Sequence, residues 1–209
     1  MKHHVISQSG SQRATLWFLG WGFDSSIAPV IHAEGDVVLL WDYTSLALDL
    51  DLSAWQSFDV CAWSMGVWAA ESFVTSHPEL TFGSLTAING TPLPADAEQG
   101  IGARLIQATA LRWDDRNRRK FALRIAGDAQ TLAQVEPLMT GRETQDQKAE
   151  LESILAAQAN PPSTSLTWDR AIIGTADQIF TPDAQRRYWA AHARQIDERD
   201  MPHWPFPKD

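Results

Sequence analysis

The sequence contains almost no cysteine and no cluster of metal-binding side chains. Its 209 residues include a single cysteine, Cys61, which excludes an internal disulfide bond and fits a reducing compartment. No group of cysteine and histidine residues has the spacing of a metal site, so we expect no bound metal. A disulfide-stapled scaffold and a zinc-dependent domain are therefore both unexpected.

Long apolar runs are also missing. The first residues, Met1–Val5, lack the uninterrupted apolar stretch of a secretory signal, and no run approaches the roughly 20 residues that span a bilayer. We therefore expect a cytoplasmic protein with no membrane partner.

Positive charge is scarce, because 17 lysines and arginines face 26 aspartates and glutamates, for a formal charge of -9. An acidic protein of this kind has no broad attraction to nucleic acid or to anionic membranes. Any anionic partner must meet a local basic patch. Nucleotide-binding signatures are missing too, since Gly20–Trp21–Gly22 lacks the third glycine of a dinucleotide fingerprint and no Walker A sequence occurs.

What the chain does have is a series of short apolar runs with room for helices between them. With 44% hydrophobic residues it is long enough to bury one sizeable core, and we predict one domain over residues 1–209. Continuous apolar runs joined by crossover helices are typical of a mostly parallel sheet covered on both faces, which predicts an α/β fold. The predicted strands are Thr15–Leu19, Asp36–Trp41, Phe58–Trp63, Ser84–Ile88, Trp168–Ile173 and a last edge strand around Ile196.

Helical patterns fill the spaces between these runs. Met65 to Ser76 carries good helix formers with an apolar face, and another helix begins near Pro182. Between about residues 95 and 160 the strand pattern disappears and several helical stretches follow, the clearest at Glu143 to Gln158. We predict that this range is a helical cap insertion, closed by Pro161–Pro162–Ser163.

The segment Ala62–Trp63–Ser64–Met65–Gly66 places a serine between the third apolar run and a helix. An α/β-hydrolase holds its nucleophile on a sharp turn at this place, and the residues two before and two after the serine must be small. Ala62 and Gly66 satisfy this, although the alanine departs from the strict G-x-S-x-G pattern. We predict Ser64 as the nucleophile. Cys61 is the alternative, but its place inside an apolar run favours a structural thiol.

Six histidines compete for the role of general base. In an α/β-hydrolase the order along the chain is serine, acid, histidine, and the base lies on a loop after the last strand. Only His203 occupies such a late loop, so we predict it as the base, against the alternative of a solvated tail residue. The others precede the first predicted strand or fall in crossover and helical segments: His3, His4, His32, His77 and His192.

The acid of such a triad belongs in a loop after a late strand. Asp177 lies a few residues beyond the run that ends at Ile173, where its carboxylate can accept the imidazole N–H and fix the tautomer. Asp183 is the runner-up, because it follows the same strand, but beside Pro182 it is typical of a first-turn helix carboxylate. We predict Asp177.

Acyl transfer also requires hydrogen-bond donors for the oxyanion. One is the backbone N–H after the nucleophile, which belongs to Met65. The second comes from a loop after an early strand, and Gly20–Trp21–Gly22 is such a loop. Its glycines allow the Trp21 N–H to turn inward, although the same residues also fit a plain turn.

Four segments of the chain are distinctive when taken together: Phe18–Asp24, the turn at Ser64, Ala87–Pro92 and Gly174–Phe180. They resemble a known family, the BioG-type pimeloyl-acyl-carrier-protein methyl ester esterases. The resemblance covers nearly the whole chain and is weakest across the predicted insertion. It implies an α/β-hydrolase that removes the methyl ester from pimeloyl-acyl-carrier protein in biotin precursor synthesis.

A substrate tethered to an acidic carrier protein implies a basic docking surface. Five basic residues crowd positions 116 to 124 of the predicted insertion, and the proposed partner-binding residues are Arg116, Arg119, Lys120 and Arg124. Three of them, at positions 116, 120 and 124, share a helical face. An ordinary solvated helix face explains the same pattern. The neighbouring Asp114 and Asp115 either reduce the positive field of this segment or cap the helix.

The predicted reaction is serine esterase chemistry with no cofactor. A thioesterase that cleaves the carrier thioester and a broad short-chain carboxylesterase use the same triad, so the sequence does not separate them from a methyl esterase. A non-catalytic binding protein with a hydrolase fold is the alternative outside enzymes.

Overall fold

The computed structural model describes residues 1–7, 9–31, 35–159 and 166–206, and these residues form an α/β-hydrolase fold. Their seven strands make one sheet in the order β1-β3-β2-β4-β5-β6-β7. Every neighbouring pair is parallel except β1 with β3, which is antiparallel. The strands are β1 Lys2–Ser7, β2 Arg13–Phe18, β3 Asp36–Trp41, β4 Ser57–Trp63, β5 Phe82–Ile88, β6 Trp168–Gly174 and β7 Ala193–Arg199.

One strand, β1, was not predicted from the sequence. His3 and His4 do not precede the first strand but lie inside it, so that part of the prediction is wrong. The strand pairs with β3 alone at the edge of the sheet, and its residues 2–6 are partly or fully exposed. An edge strand with solvent on its outer side can be rich in polar residues, and it then has no apolar run that would predict a strand.

Helices surround the sheet at the predicted places. Helix α1 leads from β4 to β5, and α6 begins at the predicted proline after a threonine cap, where Thr181 accepts from the Ala184 N–H. Between β5 and β6 the described residues contain four helices, α2 to α5, within the range predicted for the insertion. The helices are α1 Gly66–Ser76, α2 Ala103–Leu111, α3 Asp115–Ala126, α4 Ala129–Met139, α5 Thr144–Ala157 and α6 Pro182–His192.

Two predicted features fall outside the described residues, namely His32 and the closing segment Pro161–Pro162–Ser163. Among the helices that are described, none combines the length and the apolar character needed to cross a bilayer.

The core is built around the central strands and an unusual number of aromatic side chains. All six residues of β3 are buried, as expected for a strand inside a parallel sheet. The ten tryptophans are all buried as well, each less than a tenth exposed. Several of them surround the carboxyl edge of the sheet, where an α/β-hydrolase places its site.

A buried ion pair joins helix α5 to the loop before it and to the end of β3. Arg142 Nη1 lies 2.5 Å from Glu150 Oε2, and both side chains are almost fully buried. The other oxygen of Glu150 accepts from the Tyr43 N–H at 2.9 Å. Burial raises the pKa of Glu150, while the charge of Arg142 opposes that rise. These contacts hold α5 in a fixed position against the sheet.

Removing the cation of this pair should destabilise the fold. Arg142→Met leaves a buried carboxylate without its partner, a change that costs about 3–5 kcal/mol of unfolding free energy. The double variant Arg142→Met/Glu150→Gln removes that charge and keeps an acceptor for Tyr43, so it should recover much of the loss. Urea unfolding measures the unfolding free energy of the single and the double variant. Equal destabilisation of the two variants would contradict this account of the pair.

Candidate active site

Ser64 lies on a strained turn between β4 and α1. Its φ is 60°, a left-handed conformation that non-glycine residues rarely adopt. The chain is so crowded here that a Cβ added to Gly66 would lie 2.4 Å from the Phe18 carbonyl oxygen, and one on Gly90 would lie 2.2 Å from that of Ser64. Ala62 is fully buried. The requirement for small residues around the serine is therefore met in the structure.

The structure brings Ser64, His203 and Asp177 together in one chain of hydrogen bonds. His203 Nε2 lies 2.9 Å from Ser64 Oγ, and its Nδ1 lies 2.9 Å from Asp177 Oδ2. All three residues are at most 5% exposed. They come from three separate loops, after β4, β6 and β7, that meet at the carboxyl edge of the sheet. This is the geometry of a nucleophile, a base and an orienting acid.

The carboxylate of Asp177 is held by donors on every side. Oδ1 accepts from the N–H groups of Ile179 and Phe180 at 2.7 and 3.1 Å, and Oδ2 accepts from Gln185 Nε2 at 3.1 Å in addition to His203. Hydrogen bonds of this kind favour the ionised form and fix its orientation. Asp183, in contrast, is an exposed first-turn residue of α6 whose carboxylate pairs with Arg186.

The loop that carries His203 is anchored by two residues that the sequence did not identify as site residues. Trp63 Nε1 donates to the His203 carbonyl at 2.9 Å. Asn89 Nδ2 donates to the carbonyls of Pro202 and His203, and its Oδ1 accepts from the Gly174 N–H. Asn89 is fully buried with a φ of 47°. An asparagine directly after a buried strand was the one available signal, because its side chain tolerates this conformation.

Trp21 and Met65 both lie beside Ser64, each only 3% exposed. They line the same small cavity as Ser64 and His203. Among the described residues, neither backbone N–H has a hydrogen-bond acceptor. Buried N–H groups without a partner are rare in folded proteins. The positions and the unused donors suit the binding of an oxyanion.

The cavity at Ser64 is nearly closed. Its volume is about 10 Å³, which is close to the space that one water needs. A second, apolar cavity of about 30 Å³ adjoins it, and Phe121 lines both. An ester cannot occupy so small a space, so side chains between the two cavities must move before a substrate reaches the serine.

A wider groove of about 400 Å³ continues outward between α2 and α3. It shares Leu105, Thr109 and Arg124 with the apolar cavity, so the groove, the apolar cavity and the cavity at Ser64 adjoin one another in that order. The side chain of Leu105 is half exposed at its mouth.

The four basic residues of α3 that the sequence singled out have different surroundings. Arg116, Arg119 and Lys120 are exposed, and Arg119 lies 3.4 Å from Glu136. Arg124 is partly buried with its guanidinium 5.2 Å from the centre of the Phe121 ring, and desolvation lowers its pKa. Lys120 and Arg124 line the outer groove. Asp114 caps α3 by accepting from the Asn117 N–H.

Cys61 is not suited to be the nucleophile. It lies within β4, and desolvation raises the pKa of its thiol to about 12. The reactive form of a cysteine is the thiolate, which such a pKa disfavours. Within the described part of the chain, no three histidine, cysteine, aspartate or glutamate side chains lie where together they could hold a metal ion.

A family model described as "Pimeloyl-ACP methyl esterase BioG" matches residues 1–209. A protein of Bacteroides fragilis named malonyl-[acyl-carrier protein] O-methyltransferase is 33% identical over 197 residues, which are 92% of this chain and 40% of that protein. The chain thus spans less than half the length of this relative. A Haemophilus influenzae protein named only as uncharacterized is also 33% identical, over 92% of this chain and 89% of its own length.

Solved structures show the same fold. The crystal structure of BioG from Haemophilus influenzae is 32% identical, with a TM-score of 0.87, and the match covers 97% of this chain and 94% of that one. An esterase from Exiguobacterium antarcticum is 13% identical with a TM-score of 0.72, over 96% and 87% of the two chains. At that identity the second likeness shows the fold alone.

Proposed function

Because the chain belongs to the BioG family, we propose that it is a serine carboxylesterase that hydrolyses the methyl ester of pimeloyl-acyl-carrier protein in biotin precursor synthesis. The observation that carries this proposal is the chain of hydrogen bonds from Ser64 through His203 to Asp177. The family supplies the substrate class, and the site supplies a chemistry that suits an ester.

In the first half of the proposed reaction, His203 Nε2 takes the proton of Ser64 Oγ as that oxygen attacks the ester carbonyl. The negative charge on the carbonyl oxygen is stabilised by the N–H groups of Trp21 and Met65. The tetrahedral intermediate collapses as the protonated Nε2 gives its proton to the leaving methoxy oxygen. Methanol departs and the acyl group remains on Ser64.

The second half repeats these steps with water. His203 Nε2 takes a proton from a water that attacks the acyl-Ser64 ester, and the same donors bind the new oxyanion. The proton then returns to Ser64 Oγ, and the product leaves with a free carboxylate. Throughout, Asp177 holds Nδ1 protonated and stabilises the imidazolium, so that Nε2 is the basic nitrogen.

The route from the surface to Ser64 suits a substrate on a long arm. Once the side chains between the two cavities have moved, the apolar lining suits a methylene chain, and the outer groove between α2 and α3 leads the arm to the surface beside Lys120 and Arg124. A carrier protein that is acidic would be attracted there, although the enzyme as a whole is negative. We propose that Arg116, Arg119, Lys120 and Arg124 form this docking surface.

The function is tested by mass spectrometry of pimeloyl-acyl-carrier-protein methyl ester after incubation with the enzyme. Loss of the mass of one methylene group means that the methyl ester was hydrolysed. Loss of the whole acyl arm means that the thioester was cleaved, which would make the protein a thioesterase. Activity on small soluble esters with no change in the carrier substrate would favour a broad carboxylesterase.

Charge reversal on α3 should weaken the use of the carrier substrate. The double variant Arg116→Glu/Lys120→Glu should raise the apparent KM for the carrier-bound ester by about tenfold, which corresponds to 1.4 kcal/mol. The KM for a small soluble ester should not change, and added salt should weaken the wild-type reaction with the carrier substrate alone.

The matched control for this test is Arg194→Glu, compared with the single variant Arg116→Glu. Arg194 lies on β7 at the far edge of the sheet and pairs with Asp169 on the surface. Both substitutions change the net charge equally, so a local docking effect should appear only at position 116. Equal effects on KM at the two positions would show that the basic residues of α3 form an ordinary solvated surface and no docking site.

A further inference from the structure

Gln147 is fully buried in the first turns of helix α5, and no step of the proposed reaction uses it. Its amide nitrogen donates to the carbonyls of Gly22 and Met139, both at 2.8 Å. Its amide oxygen accepts from Trp113 Nε1 at 3.1 Å, and its backbone carbonyl accepts from Trp21 Nε1 at 2.7 Å. Two of these four bonds hold the loop Gly20–Trp21–Gly22.

The two bonds to the loop are made at Trp21, whose backbone N–H is the proposed oxyanion donor, and at Gly22. One fixes the side chain of Trp21, and the other fixes the carbonyl of the residue after it. Gly22 has a φ of 88°, a region that glycine visits freely, and the backbone bond across the turn, from the Phe23 N–H to the Gly20 carbonyl, is long at 3.4 Å. The local backbone therefore holds the Trp21 N–H weakly, and contacts from outside the loop add to its orientation.

The fit between Gln147 and this loop is close. A Cβ added to Gly22 would lie 3.5 Å from Gln147 Nε2 and 3.2 Å from Met139 Cε. Both bonding directions of the amide nitrogen are used, so the side chain has one defined orientation. Gln147 lines neither the cavity at Ser64 nor the apolar cavity beside it.

Helix α5 provides a fixed base for these contacts. Glu150 follows Gln147 by one turn of the helix and is the buried anion that pairs with Arg142 and accepts from Tyr43. The same helix is therefore anchored to the sheet by an ion pair and to the oxyanion loop by an amide.

From this arrangement we infer that Gln147 is a positioning residue, which holds the Trp21 N–H in the orientation that binds the oxyanion. The inference rests on the proposed function, because it presupposes acyl transfer at Ser64. It assigns to the helical insertion a part in the chemistry itself, in addition to any part in admitting the substrate. Preorganised donors matter because they need no rearrangement at the moment when charge develops.

The test is Gln147→Met, which keeps the length of the side chain and removes both amide donors. Loss of one oxyanion donor lowers kcat by about 10²–10³, so a donor that is present but badly oriented should lower kcat by about tenfold to a hundredfold. The KM for a small soluble ester should change little, because the substrate does not touch Gln147. A trifluoromethyl ketone, whose adduct carries an oxyanion, should bind more weakly in the same proportion as kcat/KM falls.

A purely structural role for Gln147 predicts a different result, and Thr131→Val serves as the control. Thr131 is a buried polar residue of α4 whose hydroxyl donates to Asp128 at 2.9 Å, and it lines neither the cavity at Ser64 nor the apolar cavity beside it. Its removal should lower stability but leave kcat unchanged. If Gln147→Met loses stability in the same way and keeps kcat within about twofold of the wild type, the inference is wrong.

A second variant tests the inference in case Gln147→Met does not fold. Gln147→Asn retains the amide but shortens it by one methylene, so it cannot reach Gly22 and Met139 as before, and the same fall in kcat is expected. Failure of the proposed function would look different. In that case the wild type itself would show no hydrolysis that depends on Ser64, whatever occupies position 147.

Discussion

Replacement of Ser64 by alanine should abolish both hydrolysis and labelling by a fluorophosphonate probe. The hydroxyl 2.9 Å from His203 Nε2 is the proposed attacking group, and without it no acyl-enzyme can form. Loss of the nucleophile from such a triad lowers kcat by about a millionfold, with a residual rate from the oxyanion donors. Intact-mass spectrometry after incubation with the probe measures the labelling directly.

The control for this substitution is Ser76→Ala. Ser76 is an exposed residue at the end of the helix that begins after Ser64, and its hydroxyl bonds to the Phe73 carbonyl and to His77 Nδ1, away from the proposed triad. That variant should be labelled and active like the wild type. An adduct on any other serine, or labelling that survives in Ser64→Ala, would show that the triad is assigned wrongly.

Asp177→Asn should retain the fold and lower kcat by about ten thousandfold. The asparagine oxygen can still accept from the N–H groups of Ile179 and Phe180, but its amide nitrogen then faces His203 Nδ1. A donor in that position favours the tautomer with the proton on Nε2. Such a histidine cannot take the proton of Ser64.

Asp183→Asn is the matched control, since it makes the same chemical change on the runner-up residue. Asp183 is exposed and pairs only with Arg186 in the next turn of α6. Surface pairs of this kind contribute little, so activity should be unchanged. A large loss of kcat in Asp183→Asn, together with a small loss in Asp177→Asn, would show that Asp183 is the acid of the triad. Circular dichroism and urea unfolding confirm that each variant is folded.

The parts of the fold that the sequence predicted well are those determined by local pattern. Strands β2 to β6 each contain a short apolar run because both faces of a parallel sheet are covered, and each was placed within a few residues. The turn at Ser64 was predictable for a related reason, since a strand, a serine between small residues and a helix follow one another without a gap. Strand β1 was missed because its exposed residues give no apolar run.

The residues that support the site were not predictable in the same way. Asn89, Gln185 and Gln147 are buried polar side chains that sit in ordinary strand-end or helical sequence. Gln147 bonds to a carbonyl 125 residues earlier in the chain, and Asn89 to one 114 residues later. Hydrogen bonds over such separations depend on the finished packing, and no spacing within one sequence indicates them.

Helix α5 carries, one turn apart, an anion that fixes the insertion to the sheet and an amide that holds the loop beside the serine. The segment between β5 and β6 also forms a wall of the apolar cavity, through residues of α2, α3 and α5. Under the inference that Gln147 positions the Trp21 N–H, a change in this wall that shifts α5 also moves the proposed oxyanion donor, so substrate preference and turnover are coupled through this helix. Phe121 of α3 packs on the Trp21 ring, which leaves α2 as the part of the wall where substitutions should alter substrate preference with the least effect on turnover.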